Sequence, residues 1–204
     1  MKKCSVCGKE CKQLRRGMCR KHYIQFMKYG ECKRTIYDPN EIVEYDDYAE
    51  VIIYNRDCKE KARTLIDLED IDKVKQYKWN LNAREYVYTD STNILLHRLI
   101  MNCPDDKVVD HINHNKLDNR KSNLRICTQQ QNSKNRSICS KNTSGITGVW
   151  WYKPCGKWCA QITYNKKRIH LGLFDTLEEA TQARKQAEMK YYGEYRNKDN
   201  EDVI

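Results

Sequence analysis

The stretch whose reading decides the fold runs over residues 108–132, VVDHINHNKLDNRKSNLRICTQQQN. Val108-Val109-Asp110-His111-Ile112 is a β-branched run and predicts a short strand, with Asp110 and His111 on opposite faces. Asn113-His114-Asn115 and Asp118-Asn119-Arg120-Lys121 have turn composition, because Asn and Asp side chains bond local backbone and tolerate tight dihedrals. Ser122-Asn123-Leu124-Arg125-Ile126 carries the chain back. Thr128 suits an N-cap, since its hydroxyl can accept from the first free N–H groups of a helix opening at Gln129. The predicted layout is a hairpin followed by a helix.

This layout and its residues resemble the HNH nuclease motif, the ββα-metal fold. The likeness rests on Asp110-His111, on Asn123 twelve residues after His111, and on Asn132 twenty-one after it. Leu96-His97-Arg98-Leu99 and Ser122-Asn123-Leu124-Arg125 also resemble HNH homing endonucleases of phages, and the likeness covers about 96–136. It implies that His111 acts as general base and that Asp110 and Asn132 supply hard oxygen ligands for Mg2+ or another hard divalent ion. Asn123, by the same likeness, bridges backbone groups of the hairpin and orients His111. The residue types suit the reaction: phosphodiester hydrolysis needs an activated water and a cation against the phosphate, and a neutral imidazole takes a proton near pH 7. His114 reads as a turn residue. His97 reads as a strand histidine that either supports the site or touches a second phosphate.

Towards the N-terminus, residues 4–22 read CSVCGKECKQLRRGMCRKH. Cys4 and Cys7 form a C-x2-C pair, and Cys19 and His22 a C-x2-H pair, the spacings with which two short knuckles close a tetrahedral zinc site. Cys11 and Cys32 are alternative ligands. The run from Arg20 predicts a short helix stopped by Gly30, with His22 in its first turn. So small a segment has little apolar core and needs its metal to fold. Four protein ligands leave no open position, so the role is structural. Arg15 and Arg16, beside other cations, are candidate phosphate contacts. The block resembles zinc knuckles at the front of phage nuclease-like proteins.

Between these segments, 35–95 alternates in short runs. Glu50–Tyr54 and Glu85–Thr89 predict strands, and Ile66–Val74 a short helix whose carboxylates Asp67, Asp70 and Asp72 read as a solvated face. Towards the C-terminus, Thr147–Tyr152, Lys157–Tyr164 and Arg168–Phe174 predict three strands, and Thr176-Leu177-Glu178-Glu179 is a capping box that opens a helix ending at Gly193. Gly148-Val149, Gly156-Lys157-Trp158, Ala160-Gln161-Ile162 and Leu171-Gly172-Leu173-Phe174-Asp175-Thr176 resemble the AP2 DNA-binding domain, a three-stranded antiparallel sheet backed by one helix. Alternation sends Val149, Trp151, Trp158, Ala160, Ile162, Ile169 and Leu171 towards the helix. It sends Trp150, Tyr152, Gln161, Thr163, Arg168 and His170 to the outer face, which in the AP2 family lies in the major groove. Plant members carry arginines along the first strand, where this chain has Trp150, Trp151 and Tyr152.

The 204 residues hold 38 Lys+Arg against 28 Asp+Glu, a net charge of +10. The charge is segregated: +9 over 1–34, -6 over 35–95, +5 over 96–143 and +2 over 144–204. That is the distribution of a modular chain with separate surfaces for a polyanion. An uncharged apolar run of membrane-spanning length is absent from the sequence, and the charged N-terminus predicts no secretory signal. Eleven cysteines, an odd number unevenly spread, fit a reducing cytoplasm better than a disulfide scaffold. The expectation is a modular α+β protein. It comprises a zinc knuckle (1–34), a β-rich scaffold (35–95), an HNH nuclease module (96–136), a linker (137–144), an AP2-like domain (145–195) and a tail (196–204). Its expected function is site-specific cleavage of double-stranded DNA as a monomer, with Mg2+ and structural Zn2+ and no small-molecule cofactor, in a phage-infected bacterial host. The alternative is a DNA-binding regulator with an inactive HNH module.

Overall fold

A computed structural model describes residues 2–135 and 142–197. The last residue of the expected HNH module (136), the first part of the expected linker (137–141) and the end of the expected tail (198–204) lie outside these residues. The chain divides into two compact units. One takes the described residues of Met1–Pro104 with Asn115–Arg125, the other those of Asp105–His114 with Ile126–Ile204.

The first unit opens with the ribbon β1 (Lys2–Lys3) and β2 (Glu10–Cys11), followed by helix α1 (Arg20–Tyr29). Gly30 ends α1 in the left-handed region, at φ 76°, with its N–H donating to Phe26 O, as the sequence predicts. Strands β3 (Ile42–Glu44), β4 (Ala49–Tyr54) and β5 (Glu60–Ile66) make an antiparallel sheet in that order. Ala49, Val51 and Ile53 on one face of β4 are wholly buried, and Ile52 on the other face is also covered. A 3-10 turn at Leu68–Asp70 leads into α2 (Ile71–Val74). The ribbon β6 (Asn80–Leu81) and β7 (Val87–Tyr88) follows, then α3 (Leu96–Met101).

Two expectations change here. The segment around His97 is a helix and not a strand: Leu96, Leu99 and Ile100 recur at helical spacing, and Leu96 and Ile100 turn inward. Of the carboxylates Asp67, Asp70 and Asp72 expected on a solvated face, only Asp72 is exposed. Asp70 is buried and pairs with Lys121 Nζ at 3.1 Å, and Asp67 Oδ2 accepts the Lys121 N–H at 2.7 Å.

In the second unit, β8 (Val108–His111) lies in a two-stranded sheet with β9 (Leu124–Cys127), whose last two residues belong to this unit. Helix α4 (Gln129–Asn132) follows, opened by the capping box expected at Thr128, which is closed by Gln131. Beyond it, β10 (Val149–Tyr152), β11 (Lys157–Tyr164) and β12 (Lys167–Phe174) form an antiparallel sheet, packed by α5 (Leu177–Tyr192). Ile146, Val149, Ala160 and Ala180 are the centre of that core, with Trp158, Leu171, Phe174 and Leu177 around it. The Thr176–Glu179 capping box is formed.

Gly148 shortens the predicted first strand. It sits at φ 78°, and a Cβ there would lie 2.5 Å from Gln161 O and 2.7 Å from Arg184 Nη1. Trp151 is the other departure: it shares a face with Trp158 but remains 45% exposed, stacking edge-on against that ring at 5.3 Å. It lies beside the hairpin turn, outside the cluster that α5 covers.

Asn40 ties the first unit together. Its amide nitrogen donates to Ile52 O (2.8 Å) and Trp79 O (3.1 Å), and its oxygen accepts from Trp79 N–H at 2.7 Å. The indole of Trp79 is buried and donates to Val74 O. Asn40→Ala strips partners from three main-chain groups at once, and an unmet buried group costs about 1–3 kcal/mol. We expect a loss of about 2 kcal/mol or more in urea unfolding, with the slope unchanged.

Candidate metal centre and nuclease site

The N-terminal candidate ligands converge. Cys4, Cys7, Cys19 and His22 are all buried, and their ligand atoms lie within 4.8 Å of one another. His22 Nδ1 is 3.6 Å from Cys4 Sγ and 3.3 Å from Cys19 Sγ. Donors on a tetrahedral zinc stand roughly 3.3–3.8 Å apart, so the spacing fits such an ion. Cys11 and Cys32 point elsewhere: Cys11 Sγ donates to Lys9 O, and Cys32 Sγ to His22 O at 3.0 Å.

The thiols oppose one another. Burial alone would raise Cys4, but N–H groups of Cys19, Val6 and Cys7, with His22, bring it down to about 6. Burial, with Cys4 and Cys19 nearby, pushes Cys7 up to about 12. A first thiolate thus resists a second, and a divalent cation among them removes that conflict.

Asp38 is a partner of this cluster that no sequence argument singled out. Its Oδ2 lies 3.3 Å from His22 Nε2, the ring nitrogen opposite the sulfurs. Burial works against this carboxylate, yet the Thr35 N–H (2.6 Å) and Lys21 Nζ (3.0 Å) outweigh it and hold it below its usual range. A carboxylate behind a ligand histidine fixes the ring and its tautomer.

In the second unit, β8 buries Val109, Asp110 and His111 in succession, and α4 packs against the strand. Asn132, half-buried, is the last residue of α4. Asn135, which no sequence argument singled out, is buried and meets Asp110. Its Nδ2 is 3.1 Å from each Asp110 carboxylate oxygen and 3.2 Å from His111 O, while its Oδ1 accepts from His114 Nε2 at 2.9 Å. His114 does occupy a turn, at φ 62°.

Asn123 belongs to the first unit, where it is buried and its amide donates to Asp118 O at 2.8 Å. His97, in the same unit, is buried with its ring 5.4 Å from that of Tyr86. On the C-terminal sheet Trp150 and Tyr152 are exposed, as are Thr163, Arg168 and His170. Gln161 is half-buried, pairs with His170, and lends its backbone N–H to Gly148 O. Arg15 and Arg16 are exposed and lie over the rings of Tyr23 and Phe26.

Residues 95–134 match the HNH endonuclease family. Over 91 residues the chain is 42% identical to a mimivirus protein described as the uncharacterised HNH endonuclease L560 (Acanthamoeba polyphaga mimivirus), covering 41% of this chain and 48% of that one. Over 75 residues it is 33% identical to Protein 3.8 of Escherichia phage T7, covering 37% of this chain and 62% of that one. The chain thus spans between about half and three-fifths of these relatives. No solved structure matches it. Asp110, His111, Asn123 and Asn132 all fall within the segment 95–134 that matches the HNH endonuclease family. No helix among the described residues is long and apolar enough to cross a membrane.

Elemental analysis should find one metal ion per chain, lost in Cys4→Ser and kept in Cys11→Ser and Cys32→Ser. Asp38→Ala should surrender the ion to a chelator about tenfold more readily, the usual cost of losing a ligand's orienting partner. Metal retained in Cys4→Ser would refute this ligand set.

Proposed function

We propose that this chain is a metal-dependent, site-specific DNA endonuclease of the phage homing type, acting as a monomer. The observation that carries it is the buried Asp110–His111 pair, on a strand packed by the helix that ends at Asn132, inside the segment that matches HNH endonucleases. Asp110 and Asn132 would hold a hard divalent ion such as Mg2+. Their donor set is a carboxylate and an amide carbonyl, which suits that ion and leaves room for water and phosphate oxygens. The bound cation would neutralise charge on the phosphate and the leaving oxygen. His111 takes the proton from the attacking water, and β8 and its neighbours hold the imidazole out of bulk solvent. Asn123, the middle residue of the motif, fixes the loop that carries it through Asp118 O.

The other segments serve affinity and register. Arg15 and Arg16 beside the knuckle, with Zn2+ as its structural ion, offer cations to the phosphate backbone. The C-terminal sheet, read as AP2-like, presents Arg168, Thr163 and His170 with Trp150 and Tyr152 on its outer face, and Gln161 at the bulge, towards base edges of double-stranded DNA. A net charge of +10 favours that partner. The setting this reading implies is the cytoplasm of an infected bacterial host.

Incubation with Mg2+ and supercoiled plasmid carrying a verified binding site should yield nicked circles, a single HNH site cutting one strand at a time. His111→Ala should slow this at least about 100-fold, the usual share of a general base, with DNA affinity retained. Binding without product in the wild type favours the regulator reading. Equal rates in wild type and variant remove His111 from the chemistry.

A further inference from the structure

The sequence motif ends at Asn132, yet a side chain three residues further on bonds Asp110 directly. Asn135 Nδ2 stands within hydrogen-bonding reach of both Asp110 oxygens (3.1 Å each), His111 O (3.2 Å) and Ile112 O (3.4 Å). Because its Oδ1 faces His114 Nε2 at 2.9 Å, that nitrogen must carry the proton, so the contact also selects a tautomer of His114. The backbone N–H of Asn135 donates to Asn132 O at 3.1 Å. One residue thereby joins the strand carrying Asp110, the left-handed turn at His114 and the end of the helix carrying Asn132.

The residues that precede it are anchored. Lys134, the preceding residue, sets its ammonium over the rings of Tyr164 (5.4 Å) and Tyr192 (5.2 Å), and Tyr192 is held in turn through its hydroxyl to Thr163 O. Gln130 Nε2 reaches Asn165 Oδ1 at 3.3 Å. The segment 130–135 is thus seated against the C-terminal sheet and helix of the same unit.

The chemistry favours an amide here. A lysine or arginine would hold Asp110 as firmly, but its charge would repel a cation bound to that carboxylate. A neutral donor orients the oxygens without such a penalty. We propose that Asn135 is a positioning residue for the metal-binding carboxylate of Asp110, locking it and the His111–His114 turn to the end of α4. The proposal rests on the nuclease reading above and extends it by one residue outside the matched segment.

The test uses the full-length, zinc-loaded protein. Mn2+ binding is followed by the electron paramagnetic resonance of the free ion, with Asp110→Ala as the background. Asn135→Ala should weaken Mn2+ binding at least about tenfold and raise the Mg2+ needed for half-maximal cleavage to match. Nitrogen-15 spectra should show the Nε2–H tautomer of His114 in the wild type and a mixture in the variant. A purely structural role would lower the unfolding midpoint and leave Mn2+ affinity alone. Should Asn135→Ala not fold, Asn135→Gln keeps the amide but displaces it by a methylene, and should weaken Mn2+ in the same direction. Mn2+ affinity within twofold of wild type in a folded variant overturns the proposal while cleavage by the wild type stands. A wild type that neither binds Mn2+ nor cleaves overturns the nuclease reading and this proposal together.

Discussion

Irregular backbone needs partners, and the loop 115–125 obtains them from β5. Leu65 N–H donates to Leu117 O at 2.8 Å, and Asn119 N–H returns a bond to Leu65 O at 2.9 Å. Thr64 Oγ donates to Leu117 O and accepts from the Asn119 amide at 2.7 Å, all in a buried setting. Lys121 closes the docking, its N–H on Asp67 and its ammonium on Glu69 and Asp70. Such groups left unmet would cost about 1–3 kcal/mol each, enough to release the loop. Asn123 keeps its place because this docking holds. The acidic segment is therefore a frame for the basic one, and the charge segregation along the chain is partly an internal pairing.

The same shortage of apolar surface shapes the N-terminus. Its core consists of Cys4, Cys7, Met18 and Cys19, with Leu14, Tyr23 and Phe26 around it, so most of the central groups are the candidate ligands themselves. An ion bound there would serve as core and crosslink together. Asp38 extends the hold of that centre to the turn at Thr35–Asp38, which leads into β3. At the other end of the chain a sheet and one helix enclose an apolar cluster, and there it is the polar Arg184 that needs special provision. Arg184 is buried, pairs with Glu188 at 2.8 Å, and bonds Gln161 O across the space that Gly148 leaves open.

What the sequence made legible was local. The capping boxes at Thr128 and Thr176, the stop at Gly30 and the three C-terminal strands each depend on residues within a few positions, and each formed. The C-x2-C and C-x2-H pairs were legible because their spacing is itself the geometry of a knuckle. What stayed hidden depends on distant partners. Leu96–Met101 has too few residues for its periodicity to declare a helix against a strand. Trp151 alternates correctly, yet the reach of α5 decides whether its face is covered. Asp38 and Asn135 resemble ordinary turn residues, and only the fold brings them to His22 and Asp110 across 16 and 25 positions of sequence.

These hidden partners share a logic. On the proposed nuclease reading, the Asp110 site accepts both a cation and a polyanion, and further fixed charge beside it would disturb both, since charge acts strongly where water is scarce. In the second unit Asn135 orients the Asp110 carboxylate with a neutral amide, and in the first unit Asn119 and Asn123 use theirs on local backbone. The exposed cations Arg15, Arg16 and Arg168 stand on surfaces where solvent screens them and a phosphate backbone can reach them. At His22 the balance is reversed: a charged partner, Asp38, backs a candidate ligand, and three sulfurs and an imidazole would already enclose a bound ion. On this reading, the choice between amide and carboxylate behind each candidate centre follows from whether that centre must stay open to substrate.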